Sequence, residues 1–191
     1  MKYFILFGPP GAGKGTHAVA IRDKHNFCHI STGELLRAEI AAGTELGIHA
    51  KSLIDKGMLV PDEVVEKMIE SKFDNVKNVQ GFLLDGFPRT LRQAEDLDAI
   101  LSKRGEKVDA VIALMISDET VKKRIRGRAA IEGRADDANE ETINNRIKTY
   151  HTQTEPLIDY YKKQGKYHEV DGDAPTIEEN RKRVLELVES L

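Results

Sequence analysis

Short apolar runs alternate along the chain with longer segments in which apolar residues recur at helical spacing. The apolar runs cover residues 3–7, 82–84 and 108–116, with weaker runs at 27–30 and 167–170. The helical pattern follows residue 14 and then covers residues 33–42, 61–73, 90–103, 118–126, 139–163 and 175–191. Strands that alternate with helices in this way predict right-handed crossovers and a parallel sheet covered on both faces. The predicted fold class is therefore α/β, with three layers.

Two segments depart from this alternation. Residues 32–60 show two short helical patterns with glycines at positions 33, 43, 47 and 57, and they contain no convincing strand. Residues 127–137 are rich in charge and show little periodicity. We interpret both segments as insertions on the α/β core. Between them, Ser117 followed by Asp118 and Glu119 predicts a capped helix start with acids in its first turn.

Composition excludes several classes of protein. The 191 residues are of the size of one domain, and 29 basic against 32 acidic residues give a net charge of −3. This charge provides no broad basic surface for nucleic acid. The single cysteine, Cys28, excludes an intrachain disulfide. The longest apolar run, residues 110–116, is too short to span a bilayer, and the first run breaks at Gly8 without a signal-peptide cleavage site. We expect a cytoplasmic protein without a membrane or nucleic-acid partner.

A glycine-rich loop follows the first predicted strand and leads into the first predicted helix. Its sequence is GPPGAGKGT, residues 8–16. Glycines allow successive backbone N–H groups to surround phosphate oxygens, the helix N-terminus adds partial positive charge, and Lys14 can bridge the terminal phosphates. Gly15 stands where the general phosphate-loop pattern has Ser or Thr, and the hydroxyl of Thr16 comes one residue later. We therefore expect Mg²⁺ to be held mainly through water. The simpler alternative is a turn that only connects strand to helix.

Asp85 directly follows the apolar run at residues 82–84 and begins the sequence DGFPRT, residues 85–90. In open α/β sheets, ligands bind at the carboxyl ends of the strands, so Asp85 should face the same crevice as the glycine-rich loop. A carboxylate there can orient the water shell of Mg²⁺. An aspartate at a strand end is otherwise a common helix cap or turn residue.

Four motifs together resemble the adenylate kinase family of nucleoside monophosphate kinases. They are GPPGAGKGT, ISTGELLR at residues 30–37, DGFPRT, and GRADD at residues 133–137. The resemblance covers nearly the whole chain and implies a P-loop NTPase fold with a five-stranded parallel sheet. It implies a core of residues 1–30, 61–126 and 138–191, an AMP-binding insertion at 31–60 and a short lid at 127–137. The lid contains no Cys or His, which excludes a structural zinc site there. The implied reaction is ATP + AMP ⇌ 2 ADP, with Mg²⁺, in a monomer.

The resemblance also implies roles for individual residues. The residues implied to be catalytic are Lys14, Arg89, Arg124, Arg134 and Arg146. Those implied to bind ATP are Gly11, Ala12, Gly13, Lys14, Gly15, Thr16, Arg124, Arg128, Gly172 and Ala174. Those implied to bind AMP are Thr32, Arg37, Met58, Leu59, Val60, Gly86, Phe87, Pro88, Arg89, Gln93, Arg134 and Arg146. Asp85 is implied to hold the metal through water.

The arginines suit phosphoryl transfer between two nucleotides. The transferred group spreads negative charge over its oxygens, and the acceptor phosphate is already ionised, so positioning and charge neutralisation matter more than a general base. Guanidinium groups grip phosphate bidentately. Alternatively, an arginine can lie on a solvated charged face without a functional role. We interpret Arg126 as such a solvent-exposed residue. Asp136 and Asp137 are expected to close the lid by hydrogen bonds or to cap the helix near Asn139.

The choice of acceptor base depends on fewer residues. Thr32 and Gln93 match the positions where adenylate kinases meet the AMP adenine, and an amide can both donate and accept. Relatives that phosphorylate UMP or CMP typically have Ala at the position of Thr32 and Asn at that of Thr90. A UMP/CMP kinase and a non-catalytic nucleotide sensor remain the alternatives. The chain lacks the Asn-Lys-x-Asp segment of a GTPase-like switch.

Two further groups of residues are given no functional role. His25, Cys28 and His29 cluster in sequence, but the chain there looks like a helix-to-strand junction, where this spacing does not favour a metal site. Tyr150, Tyr160 and Tyr161 are interpreted as packing residues of a long helix.

Overall fold

The computed structural model describes residues 1–134, 137–173 and 176–191. Five parallel strands form a single sheet in the order β2-β3-β1-β4-β5. They are β1 (Lys2–Phe7), β2 (Phe27–Ser31), β3 (Gly81–Asp85), β4 (Ala110–Met115) and β5 (Tyr167–Asp171). Each predicted apolar run overlaps one of these strands, which confirms the α/β prediction and the five-stranded sheet.

Helices cover both faces of the sheet. They are α1 (Lys14–His25), α2 (Thr32–Ala42), α3 (Glu45–Ile54), α4 (Asp62–Asn75), α5 (Leu91–Ser102), α6 (Asp118–Glu132), α7 (Glu140–Thr149), α8 (Leu157–Lys163) and α9 (Ile177–Ser190). Side chains of α1 and α9 pack on one face, and those of α4, α5 and α8 pack on the other. Over the part of the chain that the structure describes, no helix has both the length and the apolar content needed to cross a bilayer.

The central strand β1 shows why the sheet must be covered on both sides. Tyr3, Ile5 and Phe7 belong to one core cluster, whereas Phe4 and Leu6 belong to the other. All five side chains are at most 4% exposed. Because successive side chains of a strand point to opposite faces, an uninterrupted apolar run fits only a strand with helices on both sides.

Side-chain oxygens cap several of the helices. Ser117 Oγ accepts a hydrogen bond from the Thr120 N–H at 3.2 Å, which confirms the predicted start of α6. Thr90 caps α5 in the same way, since its Oγ1 accepts a hydrogen bond from the backbone N–H of Gln93 at 3.2 Å. Asn139 Oδ1 accepts from the Glu141 N–H at 2.8 Å and so caps α7. These bonds satisfy N–H groups that have no partner within the helix.

The single helix predicted over residues 139–163 is wrong. Helix α7 passes into a π-helical turn, Tyr150–Thr154, and α8 begins only after Pro156. Proline lacks an N–H donor and its ring crowds the preceding turn, so the regular hydrogen-bond ladder cannot continue through it. The apolar periodicity nevertheless continues, because Tyr150, Leu157 and Tyr161 all pack into the same core cluster.

Helix α6 continues into residues 127–132, the first part of the charged segment that shows little periodicity. It ends at Glu132, and Gly133, with φ at +62°, donates its N–H to the Ala129 carbonyl at 3.1 Å. Ile131 in this part of the helix is 87% exposed. A helix that is exposed on most sides has no apolar stripe, so periodicity could not have revealed it.

Candidate active site

The glycine-rich loop turns back on itself between β1 and α1. Gly8 has φ at +142°, and a Cβ there would lie 2.3 Å from the Leu114 carbonyl oxygen. Gly13 has φ at +91° immediately before the helix. Only glycine adopts both conformations without strain, and at Gly8 only glycine fits against β4. The loop therefore has the tight, backbone-lined form that the sequence predicts, and Ala12 is buried within it.

Lys14 folds back over this loop. Its Nζ donates hydrogen bonds to the carbonyl oxygens of Gly8 and Pro9, each at 3.0 Å. Burial, together with three nearby guanidinium groups, lowers the pKa of Lys14 to about 8, although the carboxylate of Asp85 acts in the opposite direction. Those groups belong to Arg89, Arg128 and Arg146. The ammonium group thus lies in a cation-rich crevice, where an anionic ligand would be stabilised.

Asp85 lies at the carboxyl end of β3, opposite Ser31 of β2 and Leu6 of β1. Its Oδ2 is 3.3 Å from His29 Nε2, and the two side chains are only 12% and 9% exposed. Burial opposes ionisation of Asp85, but the hydrogen bond with His29 and the charge of Lys14 outweigh it, so its pKa lies below the usual range. Asp85 is therefore a buried carboxylate beside the loop lysine.

The partner of Asp85 was missed from the sequence. His29 was considered only as a metal ligand together with His25 and Cys28. His29 and Asp85 are diagonal neighbours on one face of paired strands, since Ser31 pairs with Asp85 and His29 lies two residues earlier. The register of β2 against β3 was the missing information.

Arg89 is held by its main chain as well as by its side chain. Its N–H donates to Gln93 Oε1 and its carbonyl accepts from Thr154 Oγ1, each at 2.7 Å. Its Nε donates to the Gly86 carbonyl at 2.7 Å. Burial, together with the charges of Arg146 and Arg37, lowers the pKa of Arg89 to about 10, although the charge of Asp85 acts in the opposite direction. Arg89 therefore points into the same crevice as Lys14.

Gly86 lies where the side chains of Thr32 and Arg89 come together. A Cβ at Gly86 would lie 2.6 Å from Thr32 Oγ1 and 2.9 Å from Arg89 Nη2. Thr32, which is 3% exposed, donates its hydroxyl to the Gly86 carbonyl at 3.0 Å. Arg37 follows on the same helix α2, with its Nη1 3.1 Å from a Cβ built on Gly33. The buried Phe87 and Pro88, joined by a cis peptide bond, complete the turn to Arg89.

The neighbouring segment before α4 has a graded exposure. Met58 is 54% exposed, Leu59 is partly exposed and Val60 is 5% exposed. These residues follow α3 and precede Asp62, the first residue of α4. The structure thus places them shortly before Asp62, which bonds to Gln93.

Gln93 lies on α5 and is 2% exposed. Its Oε1 accepts from the Arg89 N–H, and its Nε2 donates to Asp62 Oδ1 at 2.6 Å. Sequence reasoning predicted Gln93 as an acceptor-site residue but did not identify Asp62, which is 31 positions away.

Asp137 joins two of the arginines. Arg128 Nε donates to Asp137 Oδ2 at 2.6 Å and Arg128 Nη2 to Oδ1 at 2.9 Å, while Arg146 Nη1 donates to Oδ1. The Asp137 side chain is completely buried. Burial opposes its ionisation, but the two guanidinium groups outweigh burial and hold the pKa of Asp137 below its usual value. Asp137 does not cap α7, since Asn139 does so, and the capping hypothesis for Asp137 is wrong.

Arg124 connects the glycine-rich loop to the segment after β5. Its Nη2 donates to the Gly172 carbonyl at 2.8 Å. A Cβ on Gly11 would lie 3.5 Å from Arg124 Cβ, so the loop and α6 are in contact. The structure therefore assembles three of the residues predicted to bind ATP. Two further residues of interest, Asp136 and Ala174, lie outside the described residues.

The other predicted residues occupy simpler positions. Arg134 follows the end of α6 and pairs with Glu132, with Nε 2.6 Å from Oε2. Gly15 and Thr16 lie exposed in the first turn of α1. Arg126, to which no role was assigned, is exposed and pairs with Glu140.

Helix α7 contacts the end of α3 through three side chains that sequence reasoning also missed. Thr142 Oγ1, Asn145 Nδ2 and Thr149 Oγ1 donate to the carbonyls of residues 55, 56 and 57, at 2.7, 3.2 and 3.5 Å. Their spacing of three and four positions places them on one face of the helix. These bonds join the segment after α3 to the helix that carries Arg146.

The fold and this crevice define a P-loop nucleotide-binding protein. A parallel sheet leads from its central strand through a glycine-rich loop into a helix whose first residue is the loop lysine, and cationic side chains gather at the carboxyl ends of the strands.

Comparison with known proteins narrows this class. The family model described as adenylate kinase matches residues 6–166. The chain is similar to an adenylate kinase of Flavobacterium psychrophilum, at 48% identity over 187 residues, or 98% of each chain. It is also similar to adenylate kinases of Leptospira biflexa, at 50% identity over 90% of this chain and 92% of the relative, and of Stenotrophomonas maltophilia, at 44% over 97% and 98%. The chain belongs to the adenylate kinase family and is a phosphotransferase.

Proposed function

We propose that this chain catalyses the reversible, Mg²⁺-dependent reaction ATP + AMP ⇌ 2 ADP. The observation that carries the proposal is the group of cations in the crevice. Arg89, Arg128 and Arg146 are near enough to Lys14 to lower its pKa, and Arg37 acts on Arg89 in the same way. Cations gathered in a partly buried site repel one another unless anions join them. Asp85 and Asp137 supply two negative charges among these cations, and the phosphates of two nucleotides meeting in the crevice would supply more.

The donor side of the proposed site is the glycine-rich loop with α6. The loop N–H groups, residues 11–16, and the Lys14 ammonium group would hold the ATP phosphates, with Arg128 beside them. Arg124 and the Gly172 carbonyl, which are bonded to each other, would border the donor adenine together with Ala174.

The acceptor side is formed by the insertion, the turn after β3 and the start of α5. Arg37 and Arg89 would hold the AMP phosphate as bidentate donors. The remaining residues would surround the acceptor base and its ribose. They are Thr32, Met58, Leu59, Val60, Gly86, Phe87, Pro88 and Gln93.

Transfer requires that the two phosphates meet in the absence of water. Arg134 and Arg146 would neutralise the transferring group, and the lid at residues 127–137 would exclude water that could otherwise accept it. Asp137 would hold Arg128 and Arg146 at a set separation. No side chain needs to act as a general base, because the acceptor phosphate is already ionised.

The residues present fit a magnesium ion that arrives with ATP. Asp85 is an ionised, buried carboxylate beside Lys14, and Gly15 offers no hydroxyl as a direct ligand. Within residues 1–134, 137–173 and 176–191, no three His, Cys, Asp or Glu side chains form a group that could hold a metal. Asp85 would therefore hold Mg²⁺ through water, while the nucleotide phosphates supply direct ligands. The ion would neutralise phosphate charge.

The alternatives are less well supported. A UMP/CMP kinase is not favoured, because the relatives described above are named adenylate kinases and position 32 is Thr rather than Ala. A non-catalytic sensor would not need Lys14, Asp85, Arg89 and Arg146 in one crevice. We also propose a cytoplasmic monomer with ATP, AMP and ADP as its ligands, and with no structural zinc, nucleic-acid or membrane partner.

A coupled assay of ADP formation tests the proposal. Mg·ATP is supplied with AMP, GMP, CMP or UMP, and a control contains no acceptor. Turnover with AMP far above the other acceptors would support the reaction and its specificity. Preference for CMP or UMP would overturn the assignment of Thr32 and Gln93, and ATP hydrolysis without an acceptor would overturn the transfer reaction itself.

A further inference from the structure

The Gln93 side-chain amide lies between two partners of opposite hydrogen-bonding character. Its oxygen accepts from the Arg89 backbone N–H at 2.7 Å, and its nitrogen donates to Asp62 Oδ1 at 2.6 Å. A backbone N–H can only donate, and an ionised carboxylate can only accept. The two partners therefore allow one orientation of the amide and oppose its reverse.

Rotating the amide by half a turn would be costly at this site. The NH₂ group would then face the Arg89 N–H, donor to donor, and the amide oxygen would face the Asp62 carboxylate, acceptor to acceptor. Gln93 is 2% exposed, so water could not replace the lost hydrogen bonds. Unpaired buried polar groups carry their full desolvation cost. Gln93 is held in one orientation by chemistry as well as by packing.

The orientation leaves a defined hydrogen-bonding pattern for a ligand. One N–H of the NH₂ group and one lone pair of the oxygen remain available after the two internal bonds are made. Adenine presents an acceptor at N1 next to a donor at N6, which matches an N–H beside a carbonyl oxygen. Guanine presents a donor at N1 next to an acceptor at O6, which matches only the reversed amide.

We infer that Asp62 is a specificity-determining positioning residue, which holds the Gln93 amide in the orientation that accepts a 6-aminopurine monophosphate and opposes a 6-oxopurine monophosphate. The inference rests on the proposed function, since it takes Gln93 to meet the acceptor base. Asp62 acts through Gln93 and does not itself touch the base.

The surroundings of Asp62 allow it to be changed without disrupting the core. It is the first residue of α4, its side chain is 26% exposed, and its Oδ2 lies 4.0 Å from Arg92 Nε. Glu63 follows it in the same first turn, so it experiences the same helix N-terminus. The substitution E63Q therefore removes the same charge from nearly the same place and serves as the matched control.

The experiment measures kcat/KM for AMP and for GMP, at saturating Mg·ATP, in the wild type and in D62N, D62E, E63Q, Q93L and the double variant D62N/Q93L. An Asn at position 62 can accept or donate, so it no longer opposes the reversed amide. We expect D62N to lower the ratio of AMP to GMP turnover by about tenfold, the effect of one unfavourable hydrogen-bond arrangement. D62E keeps an acceptor-only group and should retain most of the ratio, and E63Q should leave it unchanged. KM for ATP should not change.

The double variant tests whether Asp62 acts through Gln93. Once Gln93 is Leu, there is no amide to orient, so D62N should change the ratio no further. An unchanged ratio in D62N, or an equal loss of AMP and GMP turnover together with lower thermal stability, would overturn the inference. If D62N does not fold, D62S provides the same test, because its hydroxyl can also donate or accept.

Failure of the proposed function would look different. A wild type without AMP turnover would contradict the reaction. A Q93L variant with an unchanged AMP to GMP ratio would contradict the role of Gln93, and the inference about Asp62 with it. A Q93L variant that loses discrimination while D62N keeps it would overturn the inference alone.

Discussion

The donor loop and the acceptor side of the crevice are assembled over very different distances along the chain. In the donor loop, Lys14 bonds to carbonyls five and six residues earlier. On the acceptor side, the bond between Gln93 and Asp62 spans 31 residues, that between Thr32 and Gly86 spans 54, and that between Thr154 and Arg89 spans 65. The loop is therefore organised by its own backbone, whereas the acceptor side exists only when several elements have packed together.

The difference bears on how each region responds to change. A substitution of a loop side chain whose hydrogen bonds stay within the loop, such as that of Lys14, should affect phosphate binding with little effect elsewhere. A substitution at Gly8, where a Cβ would meet β4, should also lower the stability of the fold. The acceptor side and the lid arginines depend on residues from separate elements, so a substitution there should affect both the site and the stability of the fold. The predictions below test this contrast, beginning with the largest expected effect.

Replacing Lys14 by Ala should reduce kcat by about a thousandfold, because a preorganised charge on the phosphates is lost. The free energy of unfolding should change little, since the two hydrogen bonds that the ammonium group donates within the described part of the chain go to its own loop. Steady-state ADP formation and urea denaturation measure the two effects. The control is K24A. Lys24 lies on the same helix and pairs with Glu189 on the surface, so the turnover of K24A should equal that of the wild type. Turnover near the wild-type value in K14A would contradict the assignment of the loop.

Replacing Gly8 by Ala should lower the free energy of unfolding by about 3 kcal/mol, because the new Cβ meets a carbonyl and φ is positive. That Cβ would lie 2.3 Å from the Leu114 oxygen. The matched comparison is G15A, where the new Cβ would have no neighbour within 4 Å. Since alanine favours a helix more than glycine does, the free energy of unfolding of G15A should rise by up to about 1 kcal/mol. Equal stability of the two variants in urea would show that the loop tolerates more than its geometry implies.

Replacing Asp137 by Asn should cost about 2 kcal/mol at neutral pH, a value reduced from that of fully buried pairs because both arginines are partly exposed. The pKa of Asp137 is lowered in the folded state. Its contribution is therefore complete above its unfolded pKa of about 3.9 and is lost as the pH falls through the lower folded value.

Unfolding measurements from pH 7 down to pH 3 test this prediction. The difference between D137N and the wild type should shrink as the pH falls below about 4. D74N, which disturbs an exposed pair with Arg104, should show a smaller effect at neutral pH. If the difference in free energy of unfolding between D137N and the wild type stays constant across this range, the charge of Asp137 does not account for its stabilising effect.

Replacing Arg126 by Ala should have the smallest effect, below about 0.5 kcal/mol, because its pair with Glu140 is more than half exposed on both sides. Turnover should remain at the wild-type value. R128A, two positions later on the same helix, removes a partner of Asp137 and should reduce turnover markedly. Similar turnover in R126A and R128A would contradict the assignment of Arg126 to the surface and of Arg128 to the site.

The regular elements were largely predictable from the sequence. Apolar runs located all five strands, and the capped start of α6 at Ser117 was evident from the residues themselves. The prediction of helices failed at two points, one without a signal in the sequence and one with a signal that was not used. The exposed end of α6 has no apolar stripe, and the break after α7 could have been inferred from Pro156.

The candidate site divides in the same way. The glycine-rich loop and the turn from Asp85 to Arg89 could be located because their chemistry is written in consecutive residues. His29, Asp62 and Thr142 could not be identified as partners of the site, because each bonds to a residue far away in sequence. Strand register and helix packing decide these contacts, and neither can be deduced from local spacing.

By itself, the sequence determined the class of fold, the phosphate loop and the supply of arginines, since each depends on hydrophobic period, glycine conformation or residue type over a short stretch. Only the tertiary structure decided that Asp137 bonds to both Arg128 and Arg146, that His29 bonds to Asp85, and that Asp62 orients Gln93. Hydrogen bonds and ion pairs act over a few ångströms in space, and only a folded chain brings such residues within that reach.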